Sequence, residues 1–171
     1  MSNYTKVIIF ILILVLISAA IVFLDSSVDN MNKVMPDISD GIVNGDKDYN
    51  EAVELVNDKN YNGSMNKALS AEDNYNASLK SLNLLKDNFT SDVSDVHKEY
   101  INATIQELEL KLKAVDYLKE SIGYFEINSN YTGTSYASQA NDFIYESLEY
   151  QNQRDSLVSE NPDLFKQNFI I

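Results

Sequence analysis

The chain predicts an all-α protein: an N-terminal transmembrane helix followed by an antiparallel, up-down-up-down four-helix bundle. Three observations carry that expectation. Residues 7–24 run for eighteen positions without a charge, and Ser18 is their only polar side chain. Beyond them, apolar residues recur at intervals of three and four through most of the chain, the period of one helical face. Only 5 Gly and 2 Pro interrupt it, few for the turns of an all-β fold, and there is no Cys to staple such a fold.

The first element is the apolar run. As a helix it covers about 27 Å, close to the roughly 30 Å of bilayer hydrocarbon, and a helix is the only single-pass form that satisfies its own backbone. Lys6 precedes the run, while Asp25 and Asp29 follow it, so the N-terminus is expected in the cytoplasm and the remainder outside. The competing reading is a cleaved signal peptide, with Ser18, Ala19 and Ala20 as its small residues. The run continues through Ile21, Val22, Phe23 and Leu24 and exceeds the usual hydrophobic region of about 7 to 15 residues, which favours an uncleaved signal anchor. The expected organisation is a cytoplasmic segment 1–6, a signal anchor 7–24, a stalk 25–36, an extracytoplasmic helical bundle 37–160 and a tail 161–171.

Pro36 marks a break and a first helical position. The first bundle helix, 37–57, has the face Ile38, Ile42, Gly45, Tyr49, Ala52, Val53 and Val56, weakened by Gly41 and Gly45. A polar turn at Asn57, Asp58, Lys59 and Asn60 ends it. In the second helix Tyr61, Ala68, Tyr75, Leu82 and Phe89 recur every seven residues, with Ser64, Ala71, Ser78 and Leu85 three positions after them. That is a seam of alternating large and small side chains. Thr90 or Ser91, followed by Asp92 and Asp95, is expected to cap the third helix, whose stripe runs from Val93 through Tyr100, Ile101, Ile105, Leu108, Leu112, Val115, Leu118 and Ile122 to Phe125. After a loop at 128–133, Thr134 or Ser135 caps the fourth helix, with Tyr136, Ala140, Phe143, Ile144, Ser147, Leu148, Leu157 and Val158 on its face. Asn161 and Pro162 stop it, and a last helical turn runs to Phe169. The alternative architecture is a stack of short helical hairpins of the tetratricopeptide type, suggested by Tyr61, Ser64, Ala68 and Ala71; the echoes at Tyr49, Tyr61 and Tyr75 do not keep the period of about 34 that it needs.

The charge excludes some functions. Twelve basic against 26 acidic side chains follow the apolar run, a net charge of −14, which repels nucleic acid and anionic lipid headgroups. Catalysis has little to draw on. With no Cys and His97 as the only His, a Cys nucleophile, thiolate metal sites and paired histidine ligands are excluded, and the charged neighbours Asp95, Lys98 and Glu99 suggest that His97 sits on a solvated face. Glu107 and Glu109, two apart on a helix, do not face one site. Asn44, Asp46, Asp48 and Asn50 place oxygens at alternate positions, as a calcium loop does, but Tyr49 stands where Gly is needed and Leu55 where Glu is needed, so no metal is expected. No catalytic, cofactor or metal residues are therefore assigned. Asn-x-Ser/Thr occurs at Asn62, Asn76, Asn88, Asn102 and Asn130 in the outer part, candidate glycosylation acceptors if the domain is exported.

Twelve Lys against one Arg, with abundant Asn, Ile and Tyr, give the chain the bias of an AT-rich genome. In bias and layout it resembles uncharacterised single-pass, surface-anchored helical proteins of methanogenic archaea and of AT-rich bacteria. The layout itself, one span followed by a helical rod without catalytic residues, leaves a membrane-anchored module with a structural or protein-binding role at the cell surface, in contact with a protein or envelope partner. The alternative is a sensor-type ectodomain, since one span followed by a helical bundle resembles the outer half of chemoreceptor-like sensors. With six residues inside, such a chain signals only through a partner subunit.

Overall fold

The computed structural model describes residues 19–23 and 29–169. Four long helices, α1 (Asp29–Asn57), α2 (Tyr61–Asp87), α3 (Asp95–Glu126) and α4 (Asn130–Glu160), make up most of it, so the all-α class holds. Two five-residue strands, β1 (Ala19–Phe23) and β2 (Phe165–Phe169), pair antiparallel beside them. Each helix is 27 to 32 residues long, which replaces the alternative of stacked short hairpins with single rods.

Successive helices are antiparallel. Ser64 donates to the Ala52 carbonyl and Ser78 to that of Ile38 across α1 and α2. Lys119 meets Glu72 and Lys111 lies over Tyr75 between α2 and α3, while Ser121 reaches Gly133 and Gln153 reaches Glu99 between α3 and α4. α1 scarcely touches α4, so the helices lie in the order of the chain rather than in a closed ring. α3 is innermost, and consecutive residues such as Ala103, Thr104 and Ile105 are all buried, as a helix packed on several sides requires.

The seam read in α2 is the surface it buries: Ser64, Ala68, Ala71, Tyr75, Ser78 and Leu82 all face α1 or α3. Small residues let the two backbones approach, and α1 answers with Gly41 and Gly45. A methyl group on Gly45 would overlap the Tyr75 ring, and one on Gly41 would overlap the Ser78 hydroxyl. These glycines are packing residues, not weak points.

Several boundaries differ from the sequence expectation. α1 runs straight through Pro36, so residues 29–36 of the expected stalk are helical. Pro36 forfeits one backbone bond at a cost of about 3 kcal/mol, but Met31, Met35, Ile38 and Ile42 are buried on either side of it, each worth about 1.5–3 kcal/mol. α3 is capped by Ser94, whose side chain accepts from the His97 amide, and not by Thr90 or Ser91. α4 begins at Asn130 rather than after Gly133, because Gly133 is buried against the Phe125 ring and needs to be inside the helix. α1 and α3 end alike: Lys59 and Asn128 take positive φ, and the pairs Lys59–Val56 with Asn60–Leu55, and Asn128–Phe125 with Ser129–Tyr124, close each helix with the doubled bonds of a Schellman turn.

The ribbon is the largest departure. Ala19–Phe23, expected to finish the membrane helix, pairs as β1 with Phe165–Phe169, expected to be a helical turn, and Phe23 lies opposite Phe165. Phe23 is buried in a nest of rings, with centroids 4.9 Å from His97, 5.6 Å from Tyr100 and 5.5 Å from Phe165. The Asn32 side chain accepts from its amide and donates to its carbonyl, both at 2.8 Å. An uninterrupted apolar run does not distinguish a buried strand from a buried helix, and here the long-range partner decides. No helix among the described residues is long and apolar enough to cross a membrane, and residues 1–18 lie outside them.

Candidate functional site

The site at which all four helices meet is a buried ion network. Helical spacing puts Glu107 and Lys111 one turn apart on α3, acid before base, the favourable order for such a pair. Lys111 Nζ lies 2.8 Å from Glu107 Oε1 and 2.8 and 3.0 Å from the two Asp46 oxygens of α1. The other Glu107 oxygen is 2.9 Å from Arg154 on α4, and the Tyr75 hydroxyl of α2 donates to Asp46 at 2.7 Å. Lys111 and Arg154 also lie over the Tyr75 and Tyr100 rings, 5.8 and 5.7 Å from their centroids. Glu107 and Lys111 are each 1% exposed. Two acids thus meet two bases, and the charges cancel within the interior.

Desolvation is the largest single influence on every member and opposes its charge. For Lys111 the neighbouring Glu107 and Asp46 outweigh it and hold the ammonium above its ordinary value, and Glu107 does the same for Arg154. Glu107, held by Lys111 and Arg154 together, stays below the usual carboxylate range. At Asp46 burial outweighs the pull of Lys111 and pushes the carboxyl up. Burial likewise raises the phenols of Tyr49, Tyr75 and Tyr100. The interior therefore keeps its tyrosines neutral, and Asp46 is the more readily protonated of its two acids.

None of the four ionic residues lines either of two hollows formed by the described residues. A groove of about 340 Å³ between α3 and α4 is lined by Gln106, Glu109, Leu110, Lys113, Glu146, Glu149 and Tyr150. Glu107 and Glu109 are indeed parted, the first buried and the second exposed. A shallow hollow on α4 is bounded by Asn130, Tyr131, Thr134, Ser135 and Ser138. Among the described residues no group of acidic and histidine side chains gathers as metal ligands do. The alternating oxygens at 44–50 belong to α1: Asp46 turns inward to Lys111, while Asp48 turns to Lys67, Ser70 and Asn74 of α2 at 2.9, 2.6 and 3.3 Å. A helix sends alternate residues to different sides, which separates the oxygens that a calcium loop would converge.

His97 is not on a solvated face. It is fully buried between Phe23 and Phe165, edge-on to both, with Nε2 3.1 Å from the Leu164 carbonyl oxygen and no hydrogen-bond partner for Nδ1 among the described residues. Its charged sequence neighbours point elsewhere on the helix, and the ribbon covers it from residues far along the chain. Among the described residues its neighbours are aromatic rings and a carbonyl.

Asn62, Asn76, Asn88, Asn102 and Asn130 are all exposed. Their hydroxyl partners are not alike. Ser64, Ser78 and Thr104 are all buried: the first two donate across to the Ala52 and Ile38 carbonyls of α1, and Thr104 donates to the Tyr100 carbonyl of its own helix. Asn88 and Thr90 both reach solvent in the link between α2 and α3. On the α3–α4 surface a chain of rings runs from Tyr124 stacked on Tyr136, 5.2 Å apart, through Tyr117 to Phe143.

The ion network was only partly signposted. Lys111 stands one turn after Leu108 and one before Val115, a charge on an apolar stripe, and Arg154 is the only arginine in the chain. Their convergence with Asp46 depends on the helix order. Comparison with protein-family models, with curated proteins and with solved structures found no match.

Proposed function

We propose that the chain is an exported helical module, inserted in the membrane through residues 7–24 during export, whose outer domain has a structural or protein-binding role at the cell surface and no catalytic one. The observation that carries this reading is where the buried charges are used. Asp46, Glu107, Lys111 and Arg154 are all committed to one another across helices, and none of them lines the α3–α4 groove or the hollow on α4 among the described residues. Buried ionic sets of this kind set the register of packed helices at some cost in stability. The outer charge of −14 and the exposed asparagines suit a solvated surface. Of the five acceptors, Asn88 is the one we assign to glycan attachment, since it and its Thr90 are both exposed in the link between α2 and α3.

Protease added to intact cells should degrade the helical domain while a cytoplasmic control protein survives. Full protection of the domain in intact cells, with digestion only after lysis, would reject export.

A further inference from the structure

β1 is cut from the same residues as the membrane span. When Ala19–Phe23 lies in the ribbon, the apolar run keeps only residues 7–18, twelve positions. As a helix these reach about 18 Å, well short of roughly 30 Å of hydrocarbon. A span continued through Leu24 would instead withdraw Phe23 from the rings of His97, Tyr100 and Phe165 and break both bonds to Asn32. Insertion and the closed ribbon exclude each other.

The residues at the junction resolve the conflict. Ser18 and Ala20 stand at the third and first positions before Ile21, both small, and residues 7–17 form an apolar stretch of eleven, inside the usual range of about 7 to 15 for a cleavable leader. We propose that the Ala20–Ile21 bond is the cleavage site of a membrane signal peptidase, and that the inserted chain is the precursor of a released domain. The proposal rests on the export reading above. Hydrolysis adds one water across the bond: the Ala20 carboxylate leaves with the leader, Ile21 gains a free amine, and no other reactant is needed. Ile21, Val22 and Phe23 remain to pair with Gln167, Lys166 and Phe165. Of the apolar residues past the small ones, which argue for a permanent anchor while their destination is unknown, Phe23 thereby acquires a place in the core. Once the ribbon is closed the scissile bond lies inside a paired strand, so cleavage precedes closure.

The test expresses the full chain in a secreting host and determines the N-terminus of the product by intact mass and terminal sequencing. The expected product starts at Ile21 and is recovered outside the membrane. An Ala20→Leu variant should remain full length and membrane-bound. With no native Cys to interfere, a Val22→Cys/Lys166→Cys pair then reports the ribbon: its disulfide should form in the cleaved chain and be lost when Ala20→Leu is added. A native-sequence product that stays full length, with its outer domain still open to protease, would overturn cleavage and leave export standing. A 22–166 disulfide in the uncleaved, membrane-bound chain would overturn the mutual exclusion. A full-length chain found wholly in the cytosol would overturn export, and this proposal with it.

Discussion

Glu107 is the residue of the network whose neutralisation should cost most, because both Lys111 and Arg154 hold it. Glu107→Gln leaves Lys111 and Arg154 short of a counter-charge and should destabilise by about 3–5 kcal/mol. Asp46→Asn removes a charge that burial already opposes and should cost less than Glu107→Gln. The signs also differ with pH. Glu107, lowered in the fold, contributes stability that is present above its unfolded value and lost as pH falls through the folded one, so the cost of Glu107→Gln should shrink below about pH 4.5. Asp46, raised in the fold, is a burden while ionised and is relieved as pH falls through its folded value, so wild type should gain on Asp46→Asn between pH 7 and 4. Urea melts of the three proteins at both pH values check this, and a wild type that loses ground to Asp46→Asn on acidification would contradict the assignment. At the surface, Asn62→Gln and Asn76→Gln remove exposed amides and should change stability by under about 0.5 kcal/mol.

The contact between α1 and α2 depends on what is missing at Gly45. Gly45→Ala would ordinarily gain about 1 kcal/mol of helix propensity, yet the added methyl overlaps the Tyr75 ring, and moving that ring strains its bond to Asp46. A net loss of about 1–3 kcal/mol is expected, and a thermal melt showing stabilisation would mean that the helices stand farther apart. The turn after α1 offers the opposite case. Lys59 sits at φ 60° without the freedom of glycine, so Lys59→Gly should stabilise by about 0.5–1 kcal/mol in the same assay. Leu82, fully buried on the α2 seam, should not tolerate Asp, whereas Leu112 is only half-buried, because Lys111 takes the inward position beside it.

On the scale of the molecule, glycan attachment distinguishes the two kinds of Asn motif. In the native host, a glycan at Asn88 should make the exported protein heavier than its polypeptide, and Asn88→Gln should remove that excess. An intact mass equal to the bare polypeptide would reject modification. The fold itself is bound together by long-range closures: α3 is enclosed by α2, α4 and the inner residues of α1, and the ribbon ties the start of α1 to the end of α4.

The four helices and most of their buried faces were legible in the sequence, since the three-and-four spacing of apolar residues is a local property that packing exploits without altering. The α2 seam is the clearest case: Ala68, Tyr75 and Leu82 are buried where their spacing places them. Tertiary structure decided what local pattern cannot encode. Pro36 stays within a helix because Met31 and Met35 have something to pack against, His97 is buried because the ribbon covers it, and Ala19–Phe23 is a strand because β2 supplies its partner. Asp46 and Lys111, 65 residues apart, form a pair only once α1 and α3 are brought together. Periodicity states which side of an element is apolar, and only the packed chain states what that side meets.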